Sequence, residues 1–243
     1  MNVILLESHE LDAQGRVTLN DRRAIHIVRV LRAQPGRRLR IGLLGGALGY
    51  GEVLEARHGH VVLQCGFDAG PPPEPPLLDL MVAMPRPKAA GRLLSAAAAF
   101  AVRRLTFIGA ARVEPSYFDA HLWQPEPIRR HLIEGCEQAG WVRLPEVAVE
   151  PSFLQGVTSA VSAVPAGVRK IVGEPGTACR VRHVVRPGDG VLVAIGPDGG
   201  WVPKELERLE AEGFLRVGMT GGPLRTDTAC LALMALVRDR QEG

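Results

Sequence analysis

The chain has 243 residues, 46% hydrophobic and 23% charged, with a formal net charge of +3. That much apolar material excludes a disordered chain, and so small a net charge excludes a polycation. Four widely spaced cysteines without a C-x-x-C pair argue against a zinc site or a disulfide framework.

The start, Met1-Asn2-Val3-Ile4-Leu5-Leu6, is too short and too soon acidic for a signal peptide. No apolar stretch reaches the roughly eighteen residues of a membrane span. A cytoplasmic protein with reduced thiols is expected, with no membrane and no metal partner. Residues 3–6, 39–43, 51–54 and 61–64 are short β-like runs separated by turns such as Gly45-Gly46 and Gly49-Tyr50-Gly51. They predict a small β-barrel over residues 1–70. Within it, residues 22–40 hold seven arginines (22, 23, 29, 32, 37, 38 and 40) and no acid. Such a run is often a solvated face, but arginine's planar fork also suits phosphate.

Gly70-Pro71-Pro72-Pro73-Glu74-Pro75-Pro76 carries five prolines in seven residues. It forms neither helix nor internal strand, so residues 71–77 are a stiff linker. From 78 to 243 strand and helix patterns alternate. Strands are expected at 78–83, 105–109, 168–172, 191–195 and 215–217. Helices are expected at 89–102, 127–138, 153–164, 203–212 and 227–240. The alternation predicts an α/β domain with a parallel sheet covered on both faces by helices. Residues 229–237 are apolar around the whole helix circumference, which implies burial in the core or between subunits. Thr226 or Asp227 is placed to cap its start.

Two loops stand out. Ile195-Gly196-Pro197-Asp198-Gly199-Gly200 follows the apolar run Val191-Leu192-Val193-Ala194 and precedes a helix. Ligands of open α/β sheets bind at such strand ends, and glycines let the main chain approach them closely. Alone, a plain Pro-Asp-Gly turn between strand and helix is the better reading. A second glycine-rich junction follows, Gly218-Met219-Thr220-Gly221-Gly222-Pro223-Leu224-Arg225-Thr226-Asp227-Thr228-Ala229.

Together these loops resemble the cofactor site of the SPOUT methyltransferases, and in detail the 16S rRNA (uracil-N3)-methyltransferase family. That family writes I-G-P-E-G-G and then Glu, here Ile195 to Gly200 and Glu205. It writes L-G-x-R-x-L-R-x-E-T-A, matched at Gly218, Leu224, Arg225, Thr226, Asp227, Thr228 and Ala229. Cys136-Glu137-Gln138-Ala139-Gly140 with Leu144-Pro145-Glu146 is similar to C-E-Q-x-G and V-P-E. His26 to Arg32 with Gly36 is similar to H-x-x-x-V-L-R and its glycine. The matches span most of the chain in the family's order. In two places the chain departs. The second loop is two residues longer and lacks its first arginine, and residues 96–102 lack the lysine and glutamate of K-x-x-E-L-G-V.

The resemblance implies S-adenosyl-L-methionine as cofactor and a carboxyl-terminal trefoil knot, an exception to the rule against threaded chains. It also implies a PUA-like RNA-binding barrel, rRNA or the small ribosomal subunit as partner, and a homodimer. The cofactor-binding candidates are Ile195, Gly196, Pro197, Gly199, Gly200, Leu215, Gly218, Leu224, Thr226, Thr228 and Ala229, with Leu215 and Leu224 as apolar walls. Arg22, Arg23, Arg29, Arg32, Arg37 and Arg38 become RNA-binding candidates.

Methyl transfer from a sulfonium loses positive charge at sulfur, so backbone loops that hold adenosine and fix the line of attack suit it better than a carboxylate. Uracil N3 is a poor nucleophile until its proton leaves, and Arg225 is the catalytic candidate to stabilise the anion. Asp227 is a base or orienter, or simply a helix-start acid. Asp198 reads as a turn residue, and Glu137 and Gln138 as either site-shaping or helix-end residues. No G-x-G-x-x-G, G-K-[ST] or G-x-S-x-G supports a dehydrogenase, P-loop enzyme or hydrolase. A methyltransferase of another RNA base and a non-catalytic RNA-binding relative stay open.

Overall fold

The computed structural model describes residues 2–219 and 222–243. The chain divides into two compact units. One takes the chain through Glu74 together with Ile133–Leu144, and the other takes Pro75–Leu132 and Pro145–Gly243. Ile133–Leu144 thus leaves the 78–243 span that the linker suggests.

The first unit holds β1 (Ile4–Leu6), β2 (Arg16–Leu19), α1 (Arg22–Arg29), β3 (Arg38–Leu43), β4 (Leu48–Arg57) and β5 (His60–Phe67). Its sheet runs β1-β3-β4-β5-β2, with β1 parallel to β3 and the other pairs antiparallel. β1 and β2 are left at opposite edges, so the sheet stays open and does not close into the expected barrel. Leu6, Leu19, Ile27, Ile41 and Leu63 pack in its core. The arginine run is partly helix: Asp21 accepts from the Arg23 backbone N–H and starts α1, while Ala24 and Ile27 turn inward.

The second unit contains β6 (Leu78–Ala83), α2 (Pro87–Ala99), β7 (Arg104–Ile108), the first part of α3 (Pro125–Ala139), β8 (Glu146–Glu150), α4 (Phe153–Ser162), β9 (Arg169–Gly173), α5 (Val181–Val184), β10 (Val191–Ile195), α6 (Pro203–Ala211), β11 (Leu215–Val217) and α7 (Thr226–Glu242). Its sheet has the order β11-β9-β10-β6-β7-β8, and every pair is parallel. The central strands β6 and β10 are buried at every position, which explains the unbroken apolar run of β10; in β6 the one interruption, Asp79, is buried against Arg103. β8 is additional to the expected strands, because a five-residue edge strand flanked by glutamates carries little apolar signal.

α7 divides its circumference. Cys230, Leu233, Met234 and Val237 are buried, whereas Leu231 and Leu236 stay 44% and 41% exposed. Neither Thr226 nor Asp227 caps it: Asp198 accepts from the Thr226 backbone N–H at 2.9 Å across the two loops. Among the described residues no helix is long and apolar enough to cross a membrane.

Candidate active site

A cavity of about 370 Å³ lies where β9, β10 and β11 hand over to their following loops. This is the carboxyl edge of the parallel sheet, where backbone groups lack ladder partners. Of the expected cofactor residues, Ile195, Gly196, Pro197, Gly199, Gly200, Leu224, Thr226 and Ala229 all line it. Gly200 turns the chain with φ +74°, and a Cβ on Gly196 would sit 3.1 Å from the Trp201 ring nitrogen.

Three expected residues are not in its wall. Leu215 points outward from edge strand β11 and is 49% exposed, so it is no apolar wall. Thr228 is exposed and donates its backbone N–H to its neighbour Asp227. Gly218 serves packing: its N–H donates to the Cys179 carbonyl at 2.8 Å, and a Cβ there would lie 2.2 Å from the Thr177 carbonyl oxygen. Thr220 and Gly221, in the same loop, lie outside the described residues.

The cavity also draws on Arg112, Glu174 and Trp201, which pattern reading passes over, and on support from Glu205. Arg112, from the loop after β7, donates to the Gly199 carbonyl. Glu205 holds that loop down, its carboxylate accepting from the Ala111 N–H at 2.7 Å and the Val202 N–H at 2.9 Å. Glu174 follows β9, and burial raises its carboxyl pKa while the Arg216 charge partly offsets this. Trp201 stacks edge-on against Phe153, with ring centroids 5.9 Å apart, and its indole nitrogen is buried without a partner. A strand ending in Gly173-Glu174-Pro175 is the available signal for the third loop.

Asp198 does more than turn the chain. Its Oδ1 accepts from the Thr226 N–H, and the Thr226 hydroxyl lies 3.0 Å from both that oxygen and the Gly196 carbonyl oxygen. The two glycine-rich loops are thereby tied together at the start of α7.

Arg225 faces away from this cavity into a second, of about 320 Å³, which also receives Asp227. Asp227 accepts from Arg92 at 2.6 Å, and that hydrogen bond holds its carboxyl below the usual range. A carboxylate so stabilised is a poor base, so the geometry speaks for orientation over proton removal.

Glu137 and Gln138 belong to the first unit, and neither lines a cavity described above. Glu137 is 2% exposed and accepts from Arg22 at 2.8 Å, and the Gln138 carbonyl accepts from Asn2. The RNA-binding candidates divide. Arg23 is withdrawn: it is 9% exposed and donates to Glu10, Asp21 and the Leu5 carbonyl. The run has no acid of its own, yet acids from outside it pair with two of its arginines, Arg23 with Glu10 and Asp21 and Arg22 with Glu137. Arg22, Arg29, Arg32, Arg37 and Arg38 are exposed. Arg29 contacts His58, Arg37 donates to the Leu31 carbonyl, and Arg38 lies 4.6 Å from the Tyr50 ring centre. Among the described residues no group of three His, Cys, Asp or Glu side chains is placed to hold a metal.

The chain is similar to known proteins in sequence and in fold. The family profile of the RNA methyltransferase domain matches residues 72–238. The chain is similar to a protein named ribosomal RNA small subunit methyltransferase E from Treponema pallidum, 29% identical over 249 residues, 98% of this chain and 90% of that one. A protein named ribosomal RNA small subunit methyltransferase E 1 from Borreliella burgdorferi is 22% identical over 96% of this chain and 95% of its own. Among solved structures, the methyltransferase E of Neisseria gonorrhoeae bound to S-adenosyl methionine has a TM-score of 0.76 at 21% identity, covering 98% of this chain and 97% of that one. With a profile match over most of its length, and with the loops of the 16S rRNA (uracil-N3)-methyltransferases in the same order, the chain belongs to the RNA methyltransferase family of the SPOUT superfamily.

Proposed function

We propose that the protein transfers a methyl group from S-adenosyl-L-methionine to N3 of a uridine in 16S rRNA of the small ribosomal subunit. The observation that carries this is the glycine-lined cavity at the carboxyl ends of adjacent parallel strands, joined by Asp198 and Thr226 to a cationic neighbour. Its volume falls within the range of small-ligand sites. The residues fit the cofactor: the main chain at Gly196, Gly199 and Gly200 is approachable, Ile195, Leu224 and Ala229 are apolar, and the Trp201 indole N–H is a buried donor without an acceptor. A relative kept only for RNA binding has no need of such a cavity.

Bound S-adenosylmethionine supplies an electrophilic methyl group on sulfonium. The protein's part is to place the acceptor base and to favour its anion. Arg225 donates to a uracil carbonyl oxygen, and the Arg92–Asp227 pair holds the start of α7 beside it. Arg225→Ala is expected to lower kcat by about a hundred- to a thousandfold with cofactor affinity kept. The reverse pattern would assign it to the cofactor.

The finer architecture follows from the same reading. A carboxyl-terminal trefoil knot is supported by the tight passage of Gly218 against residues 177–180, after which α7 returns from edge strand β11 to pack on β10 and α2. The first unit acts as a PUA-like RNA-binding module, in a cytoplasmic protein that uses no metal. A homodimer is supported by the exposed apolar stripe Leu231, Ala235 and Leu236.

Calorimetry with S-adenosylhomocysteine, paired with mass mapping of rRNA bases with and without the gene, tests the function. No binding at millimolar ligand by folded protein removes the methyltransferase reading. A modified base other than uridine redirects it.

A further inference from the structure

The second cavity has a composition that the methyl-transfer site does not use up. It lies beside the first, sharing Asp198 and Thr226 with it, and is bordered by the start of α2 after β6 and the start of α7. Four cations reach it, Arg86, Lys88, Arg92 and Arg225, against two carboxylates, Asp198 and Asp227. Both carboxylates are already engaged. Asp227 accepts from Arg92 at 2.6 Å, and Asp198 accepts from the Thr226 N–H at 2.9 Å. Among the described residues, the side chains of Arg86, Lys88 and Arg225 have neither an ion-pair nor a hydrogen-bond partner.

Three uncompensated cations bordering so small a space repel one another unless an anion sits between them, and a cleft lined by one sign of charge concentrates the opposite sign. Arginine presents a planar fork to a tetrahedral oxyanion, and lysine adds a point charge. Metal cations are disfavoured by this charge, and Pro85 and Ala89 are the cavity's only apolar side chains. Because Arg225 faces the same space, an anion held by Arg86 and Lys88 lies within one nucleotide's reach of the base-handling arginine.

We propose that this cavity is the seat of a backbone phosphate of the substrate RNA, adjoining the nucleotide to be methylated, with Arg86 and Lys88 as its ligands. The proposal rests on the RNA methyltransferase reading above. It assigns to the start of α2 a positioning role that keeps the target base in register with the first cavity.

The double variant Arg86→Ala/Lys88→Ala tests it. Both side chains are exposed and neither lines the first cavity, so S-adenosylhomocysteine affinity by calorimetry is expected to equal wild type. The log-log salt slope for small-subunit rRNA binding is expected to fall by about 0.7 to 0.9 for each phosphate the variant no longer neutralises. KM for RNA is expected to rise by about tenfold or more, with kcat at saturating RNA nearly kept. Arg86→Lys, alone, is expected to retain the salt slope. A double variant that binds S-adenosylhomocysteine normally and keeps both slope and KM overturns the phosphate seat while the methyltransferase reading stands. Loss of S-adenosylhomocysteine affinity in the variant overturns it equally, by placing both residues in the cofactor site. Wild-type protein that binds S-adenosylhomocysteine but transfers no methyl to any RNA sinks the reading beneath it instead.

Discussion

At the residue scale the second unit depends on Asp198 and Thr226, and the first on Arg23. Thr226→Val keeps the side-chain shape but removes the hydroxyl that lies between Gly196 and Asp198. Cap-like interactions of this kind are worth about 1 kcal/mol, so the variant is expected to melt a few degrees lower. Its larger effect is expected on S-adenosylhomocysteine affinity, because the two glycine-rich loops keep only the backbone bond to Asp198 as their tie, and calorimetry reads this directly. Around Arg23, burial alone would raise the carboxyl pKa values of Glu10 and Asp21. The hydrogen bonds and charge of Arg23 outweigh it, and both values end below the ordinary 4.5 and 3.8. Both groups therefore contribute stability that is full above about pH 4.5 and is lost as pH falls through their folded values. Denaturant melts of wild type and Arg23→Met between about pH 3 and 6 are expected to show a steep acid loss in the first and a shallow one in the second. Parallel curves would remove the network from the account.

At the element scale α7 has two faces with separate duties. Its inner face carries Arg238, which donates to the carbonyls of Pro76, Phe100 and Ala101 and to Gln241 Oε1. Burial pushes the guanidinium pKa down to about 10, partly offset by Glu242. Arg238→Met keeps the stem but strands several carbonyls, each costing about 1–3 kcal/mol when buried unpaired. The melting temperature is expected to drop by roughly 6–10 °C, from about 3 kcal/mol in a chain of this size. The outer face is the dimer candidate. Leu233 is fully buried within the protomer, so a charge there reports on folding and not on assembly. Leu231→Glu/Leu236→Glu is the cleaner probe: sedimentation is expected to give a folded monomer in place of a dimer. A wild-type monomer with full activity would end the homodimer proposal.

At the scale of the whole molecule, the basic character is local to particular surfaces. On the proposed reading, the exposed arginines of the first unit and the cations of the second cavity would give two separable contributions to RNA affinity. Reversing Arg29, Arg32, Arg37 and Arg38 together is expected to lower the salt slope for rRNA while S-adenosylhomocysteine binding stays as in wild type. Arg23 is left out of that set, because its removal strands Glu10 inside the first unit and confuses unfolding with weakened phosphate binding. An unchanged slope would place the RNA face elsewhere.

Much of this is legible in the residues because local physics writes it there. Strands buried on both faces need apolar runs, so β10 stands out, and β6 nearly as much with Asp79 as its one polar residue. Strand-to-helix junctions that approach a ligand need glycine, so both loops stand out as well. The short edge strands β2 and β8 do not, since half of an edge strand meets solvent and its pattern fades. Other outcomes depend on partners far away in the chain, and no local pattern encodes those. Arg23 and Arg22 are neighbours of one chemical type, yet one is neutralised by Glu10 and Asp21 while the other reaches the buried Glu137 from exposed ground. Asp198 reads as a turn residue until the start of α7 comes to it from 28 residues on. An all-apolar helix says that it is buried, but only packing against β10, α2 and α5 selects the face that remains outside. The elements and the cofactor loops are thus written in the residues themselves, because burial and close backbone approach constrain residue type position by position. Which charges are spent and which stay free emerges only on folding, because a charge is neutralised by whatever the fold brings beside it.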